Sequence, residues 1–183
     1  TDSIQLLLMI RNYRVLGHLH ADLDPLGLVE KPYHPDLDPE TYGFGPEDME
    51  REVFVNGQLG LQTASVGDVL ERLRQVYCGS IGVEFMHIAE PEEKRWLQSR
   101  LESDAQIEKF TDRGKQAILE RLTEAEAFEK FLDKKFRGTK RFGLDGGETT
   151  IPALEQIIKQ ASIEGVEEVV IGMAHRGRLN VLA

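Results

Sequence analysis

Ile4, Leu7, Leu8, Ile10, Val15 and Leu16 recur at helical spacing with Arg11 and Arg14 between them, which predicts an amphipathic helix over residues 3–20. The rhythm then stops. Pro25, Pro32, Pro35 and Pro39, with Gly27, Gly43 and Gly45, make residues 21–52 an irregular connection, because proline withholds the backbone donors a ladder needs. "VFVNGQLGL" reads as a short hairpin or extended piece turning at Asn56-Gly57. Ser65, with Asp68 three residues on, starts the next helix, and Gly79 closes it. "SIGVEFMHI" reads as a buried strand or an extended packing segment.

From Pro91 onward the pattern is helical. Pro91 fits a first helical position, with Trp96 and Leu97 facing inward, and Thr123 with Glu126 has capping-box spacing ahead of "AFEKFLDKKF". Thr150 and Pro152 open "ALEQIIKQA", Gly165 ends it, and "EEVVIGMA" reads as a β-branched strand leading into "HRGRLNVLA". Helix, strand, loop and helix in that order are the start of an α/β unit. The expected fold is mainly α with a small β part. Residues 1–137 form a helical region that leads into the beginning of an α/β domain over 138–183.

Charge narrows the possibilities. The 183 residues carry a net charge of -10, so the chain repels nucleic acid and anionic membrane at long range, and any anion site must be local. The single cysteine, Cys78, cannot form an internal disulfide, which favours a bacterial cytoplasm or a mitochondrial matrix. The early apolar run Ile4 to Ile10 is too short to span a bilayer. No initiating Met is present and the last residues read as an opening helical turn, so a piece of a longer protein is expected.

Two stretches carry candidate chemistry. If Val169 to Met173 is a buried strand, His175 and Arg176 stand at its carboxyl end, where open α/β sheets place ligands, beside a helix starting near Gly177. An imidazole and guanidiniums there suit a carboxylate or a phosphate; the competing reading is a strand-end loop whose arginines pair with surface acids. The second stretch sets Lys134, Lys135, Arg137, Lys140 and Arg141 among Phe136 and Phe142, before Gly143, Gly146 and Gly147. It is either a solvated helix end or a place where backbone meets a ligand. His18 and His20 are two apart and cannot share a helix face; Asp22, Asp24, Asp36 and Asp38 read as turn formers and caps; Cys78 reads as a small buried apolar residue. No metal-ligand set is expected from these residues.

"RNYRVLGHLHADLDPLGL", "YCGSIGVEFMHI", "GTKRFGLDGGETTIPAL" and "VVIGMAHRGRLNVLA" together resemble the thiamine-diphosphate-dependent dehydrogenase (first) component of the 2-oxoglutarate dehydrogenase complex, over about residues 3 to 183 and in the family's order. The resemblance implies oxidative decarboxylation of 2-oxoglutarate, with succinyl transfer to a lipoyl group of a partner acyltransferase, in the tricarboxylic acid cycle. It implies His175 as a catalytic, substrate-binding residue that assists proton transfer, Arg176 against cofactor and substrate carboxylate, and Phe142 along the pocket for the substrate's distal end. It also implies thiamine diphosphate and magnesium, with the magnesium ligands outside these residues, and a homodimer in the full chain. The piece alone is expected to be inactive. A 2-oxoadipate-type enzyme is the alternative; for the isolated piece, a helical docking or anion-sensing module centred on 134–141 is another.

Overall fold

The computed structural model describes residues 1–103 and 110–183. Two compact units divide the chain, Thr1–Glu108 and Lys109–Ala183. The fold is mainly α, and among the described residues its only sheet is a two-stranded antiparallel one.

In the first unit, α1 (Asp2–Leu16) buries Leu6, Met9, Ile10 and Tyr13, a stripe at the spacing of one helical face. The expected 3–20 helix therefore ends early as an α-helix and tightens into a 3-10 turn over Gly17–His20. The proline-rich stretch is irregular with short 3-10 turns, and its Leu37, Tyr42 and Phe44 sit in the core. β1 (Glu52–Phe54) and β2 (Thr63–Ser65) pair with Val53 opposite Ala64. The connection turns through Asn56 and Gly57, both at positive φ, as that residue pair predicts.

Ser65 caps α2 (Val66–Tyr77), its hydroxyl accepting from the Asp68 amide at 3.0 Å. The helix ends at Tyr77, before Gly79, and buries Val66, Val69, Leu70, Leu73 and Tyr77. "SIGVEFMHI" forms no strand; it is a packing segment whose Phe85 is buried and stacks on Tyr77 with ring centroids 6.4 Å apart. Its neighbours Val83, Met86 and Ile88 lie against the same core.

Pro91 opens α3 (Pro91–Glu102) as expected. Leu97 packs on the core, but Trp96 is 62% exposed, against the expectation for it. Trp96 instead stacks under the Arg100 guanidinium, 6.0 Å from the ring centroid. The last residue of α3 anchors it: the buried Glu102 carboxylate accepts from Arg14 Nε at 2.6 Å and Nη2 at 2.9 Å, and from the Tyr77 hydroxyl at 2.7 Å. Burial first, and the Glu102 charge second, push the Tyr77 hydroxyl well above its ordinary pKa.

The second unit holds α4 (Asp112–Lys135), α5 (Thr150–Ile163) and α6 (Arg178–Leu182). α4 is capped by Thr111, which accepts from the Gly114 amide at 3.1 Å. Thr123 is not a cap. It lies inside the helix with its hydroxyl bonded back to the Leu119 carbonyl at 2.8 Å, the alternative a mid-helix threonine takes. Gly165, at φ +84°, ends the α5 segment as expected. The strand expected over 167–174 does not form. A strand is completed by a neighbour's ladder, and the described residues supply none: Val169, Val170 and Ile171 are exposed.

Candidate functional site

The expected site residues all fall in the second unit. Local chain chemistry brings them together. Leu144 is buried beside Gly177, whose φ is +67°; a Cβ at Gly177 would overlap the Leu144 side chain, so only glycine fits. The Gly177 amide donates to the Phe142 carbonyl at 2.6 Å. Arg176 reaches the same segment, Nη2 donating to the Asp145 carbonyl at 3.2 Å. The 175–177 turn and the 142–145 segment, over thirty residues apart in sequence, are thus stitched edge to edge.

His175 stands at φ 66°, a left-handed conformation unusual for a residue with a Cβ and one that recurs at functional sites. Its side chain is exposed. Nδ1 lies 3.3 Å from Arg178 Nη1, which has only protons to offer, so the contact is a hydrogen bond only in the tautomer whose Nδ1 accepts and whose proton sits on Nε2. That second nitrogen is the one left to meet a ligand.

The neighbouring cavity, about 450 Å³, is lined by Phe142, Gly143, Asp145, Gly177 and Leu179 among others. His175 and Arg176 are not in its wall. The structure ties the His175–Arg176 turn to the Phe142 segment, but neither the imidazole nor the Arg176 guanidinium lines this cavity. The helix amides expected to face an anion are also partly used. Gly177 N–H meets Phe142 and Arg178 N–H meets the His175 carbonyl.

The basic segment behaves mainly as a helix end. Arg141 pairs with Asp133 and donates to the Phe136 carbonyl, closing α4 and offsetting its dipole. Around the cavity, the carboxylates of Glu126, Glu129, Asp133, Asp145 and Glu148 outnumber the cations Lys130, Lys134 and Arg141. That balance argues against a sensor for free anions.

Sequence reasoning missed two polar residues of this knot, Glu129 and Asn180. The Glu129 carboxylate accepts from the Leu144 amide at 2.8 and 3.0 Å and from Asn180 Nδ2 at 3.1 Å, and Asn180 also donates to the Ala125 carbonyl at 2.9 Å. Nothing local marks them, since the Glu129–Asn180 bond closes across 51 residues.

In the first unit, a cavity of about 630 Å³ lies between Tyr13, His34, Asp38, Arg74 and Cys78, with charges of both signs. Burial pushes the Cys78 thiol up from its ordinary pKa, and its sulfur faces the Gly17 carbonyl at 3.5 Å, as suits a packing residue. His18 and His20 part company, His18 toward Glu84 at 3.8 Å and His20 toward the Pro32 carbonyl at 3.1 Å. Asp24 and Asp38 are turn formers as expected: Asp24 accepts from the amides of Leu26, Leu28 and Val29, and Asp38 from that of Glu40. Among the described residues, no three His, Cys, Asp or Glu side chains are grouped to hold a metal, and no helix is long and apolar enough to cross a membrane.

No family model matches the chain. Proteins of Brucella canis, Brucella suis and Brucella abortus, each named 2-oxoglutarate dehydrogenase E1 component, are 58% identical to it over 183 residues. The match takes in 100% of this chain, which spans 18% of the length of these curated relatives. The aligned stretch thus covers the whole chain, the quoted segments included.

Proposed function

We propose that this chain, similar along its whole length to part of the 2-oxoglutarate dehydrogenase E1 component, works within a longer enzyme of that kind and lends it a substrate-facing turn. The observation that carries this reading is the 58% identity over all 183 residues. The knot that joins His175, Arg176 and Phe142 supports it, because the residues the resemblance singles out are neighbours in space. The reaction is oxidative decarboxylation of 2-oxoglutarate, followed by succinyl transfer to a lipoyl group of a partner acyltransferase, in a homodimeric enzyme.

Each residue has work suited to its chemistry. His175 Nε2, the ring nitrogen turned away from Arg178, carries the proton, donates to an oxygen of the 2-oxo acid and passes that proton as the oxygen gains and loses charge. Arg176 spends one N–H on the Asp145 carbonyl and keeps others to pair with a carboxylate or a phosphate. Phe142, 65% exposed, gives an apolar wall to the methylenes between the substrate's two carboxylates. The exposed, donor-only guanidiniums beside His175 suit the anionic diphosphate of thiamine diphosphate, whereas magnesium draws its ligands from outside these residues. Thiamine diphosphate, when bound, supplies the carbanion that makes decarboxylation possible.

The test is turnover by the longer polypeptide with thiamine diphosphate, magnesium and an artificial electron acceptor. We expect 2-oxoglutarate to be consumed in preference to 2-oxoadipate. No turnover of either acid overturns the reading; a preference for 2-oxoadipate moves it to the longer substrate.

A further inference from the structure

Three separate parts of the second unit converge on one carboxylate. Glu129 projects from α4, and both its oxygens face the Leu144 amide, at 2.8 and 3.0 Å. One of them also receives Asn180 Nδ2 from α6 at 3.1 Å. Leu144 and Asn180 are 6% and 9% exposed, so these donors have little access to water in exchange. The fit is close: a Cβ at Gly143 would stand 2.5 Å from Glu129 Oε2. From the other side Leu144 presses on Gly177, whose amide holds the Phe142 carbonyl.

We propose that Glu129 is a positioning residue that sets the spacing between Phe142 and the His175–Arg176 turn. This rests on the functional reading above, in which those residues meet substrate. Glu129 itself touches neither His175 nor Phe142 by side chain in the bonds described; it acts through Leu144 and Asn180. Its chemistry is specific, because an ionised carboxylate only accepts, and here two kinds of donor arrive together. Both donors meet Oε1, and the Leu144 amide also meets Oε2 at 3.0 Å; glutamine keeps one oxygen but sets an N–H₂ in place of the other, so that donor faces the Leu144 donor and that bond is lost. The 142–145 segment is then free to slide against α6, and a displacement on the order of 1 Å at a substrate wall is enough to cost catalysis heavily.

The experiment compares Glu129→Gln, and Asn180→Ala as a second variant, with the unaltered full-length enzyme. In Glu129→Gln we expect amide hydrogen exchange at Leu144 and Gly177 to quicken about tenfold, with exchange in the middle of α4 and the melting temperature unchanged. We expect kcat/KM for 2-oxoglutarate to fall about tenfold or more, the loss lying mainly in KM, since the displaced segment carries Phe142. Asn180→Ala, which leaves the Leu144 bonds in place, gives a smaller change in the same direction. Unchanged exchange at Leu144 overturns the clamp whatever the activity. Faster exchange with unchanged kcat/KM overturns the positioning role and leaves the function standing. If the unaltered enzyme turns over no 2-oxo acid, the functional reading fails, and with it this role.

Discussion

Thr1–Glu108 and Lys109–Ala183 are held together in different ways. Among the described residues of the first unit, seventeen buried hydrophobic side chains form one cluster, supplied by α1, α2, the hairpin, the proline-rich stretch and Phe85 of the packing segment after α2. In the second, the buried hydrophobic residues among those described are Ala125 and Leu144. α5 leaves Ile157, Ile158 and Ile163 exposed, and the following run leaves Val166, Val169, Val170 and Ile171 exposed too. Order in the second unit comes instead from a polar knot of Glu129, Asn180 and the 142–145 backbone, helped by exposed ion pairs such as Arg121 with Glu155 at 2.8 Å. Packing is weakened by lost volume, whereas a polar knot is loosened locally by a lost acceptor. The candidate site lies in the region governed by the second rule.

The largest effect on stability is expected where the first unit uses a buried charge. Glu102→Ala leaves Arg14, only 10% exposed, without its carboxylate and takes the partner from the Tyr77 hydroxyl. It should cost about 3–5 kcal/mol in urea unfolding. A cost under about 1 kcal/mol would mean that the pair is solvated and that the first unit relies on apolar packing alone.

Truncation of apolar side chains sharpens the contrast. Leu73, fully buried, should lose about 2–5 kcal/mol as Leu73→Ala, whereas Val170→Ala, at a position 85% exposed, should stay within about 0.5 kcal/mol. Equal costs at the two positions would break the comparison.

The smallest effect is a pH dependence in the first unit's irregular loop. The Val29 amide foremost, with those of Leu26, Leu28 and Gly27, holds the Asp24 carboxyl below its ordinary pKa. A carboxylate with a lowered folded pKa stabilises the loop above its unfolded pKa, and that contribution is lost as pH falls through the folded value. An NMR titration should place the Asp24 midpoint below that of an unstructured aspartate, with the Val29 and Leu28 amide shifts moving alongside it. A midpoint at or above the ordinary value contradicts the loop geometry.

What the sequence disclosed divides along the same line. Helix-forming signals are local, so α1, the Ser65 cap, Pro91 at the head of α3 and the Asn56-Gly57 turn could be read from short windows. Signals that depend on distant partners misled. Thr123 has cap spacing, yet α4 runs through it because the residues on both sides favour helix. "EEVVIGMA" has strand composition but no ladder partner among the described residues. The helical pattern puts Trp96 inward beside Leu97, but Trp96 lies against an arginine at the surface. At the site, His175, Arg176 and Phe142 could be picked out by residue type and resemblance. Glu129 and Asn180 could not, since a bond across 51 residues leaves no mark in either segment.

Catalysis in this reading depends most on the turn that carries His175. Steady-state turnover of 2-oxoglutarate by the full-length enzyme, compared with His175→Ala at matched circular dichroism and melting temperature, tests it directly. The prediction is a fall in kcat of at least about a hundredfold with the fold intact, the scale on which a positioned acid–base group acts. Near-normal turnover in the folded variant would contradict the role assigned to His175.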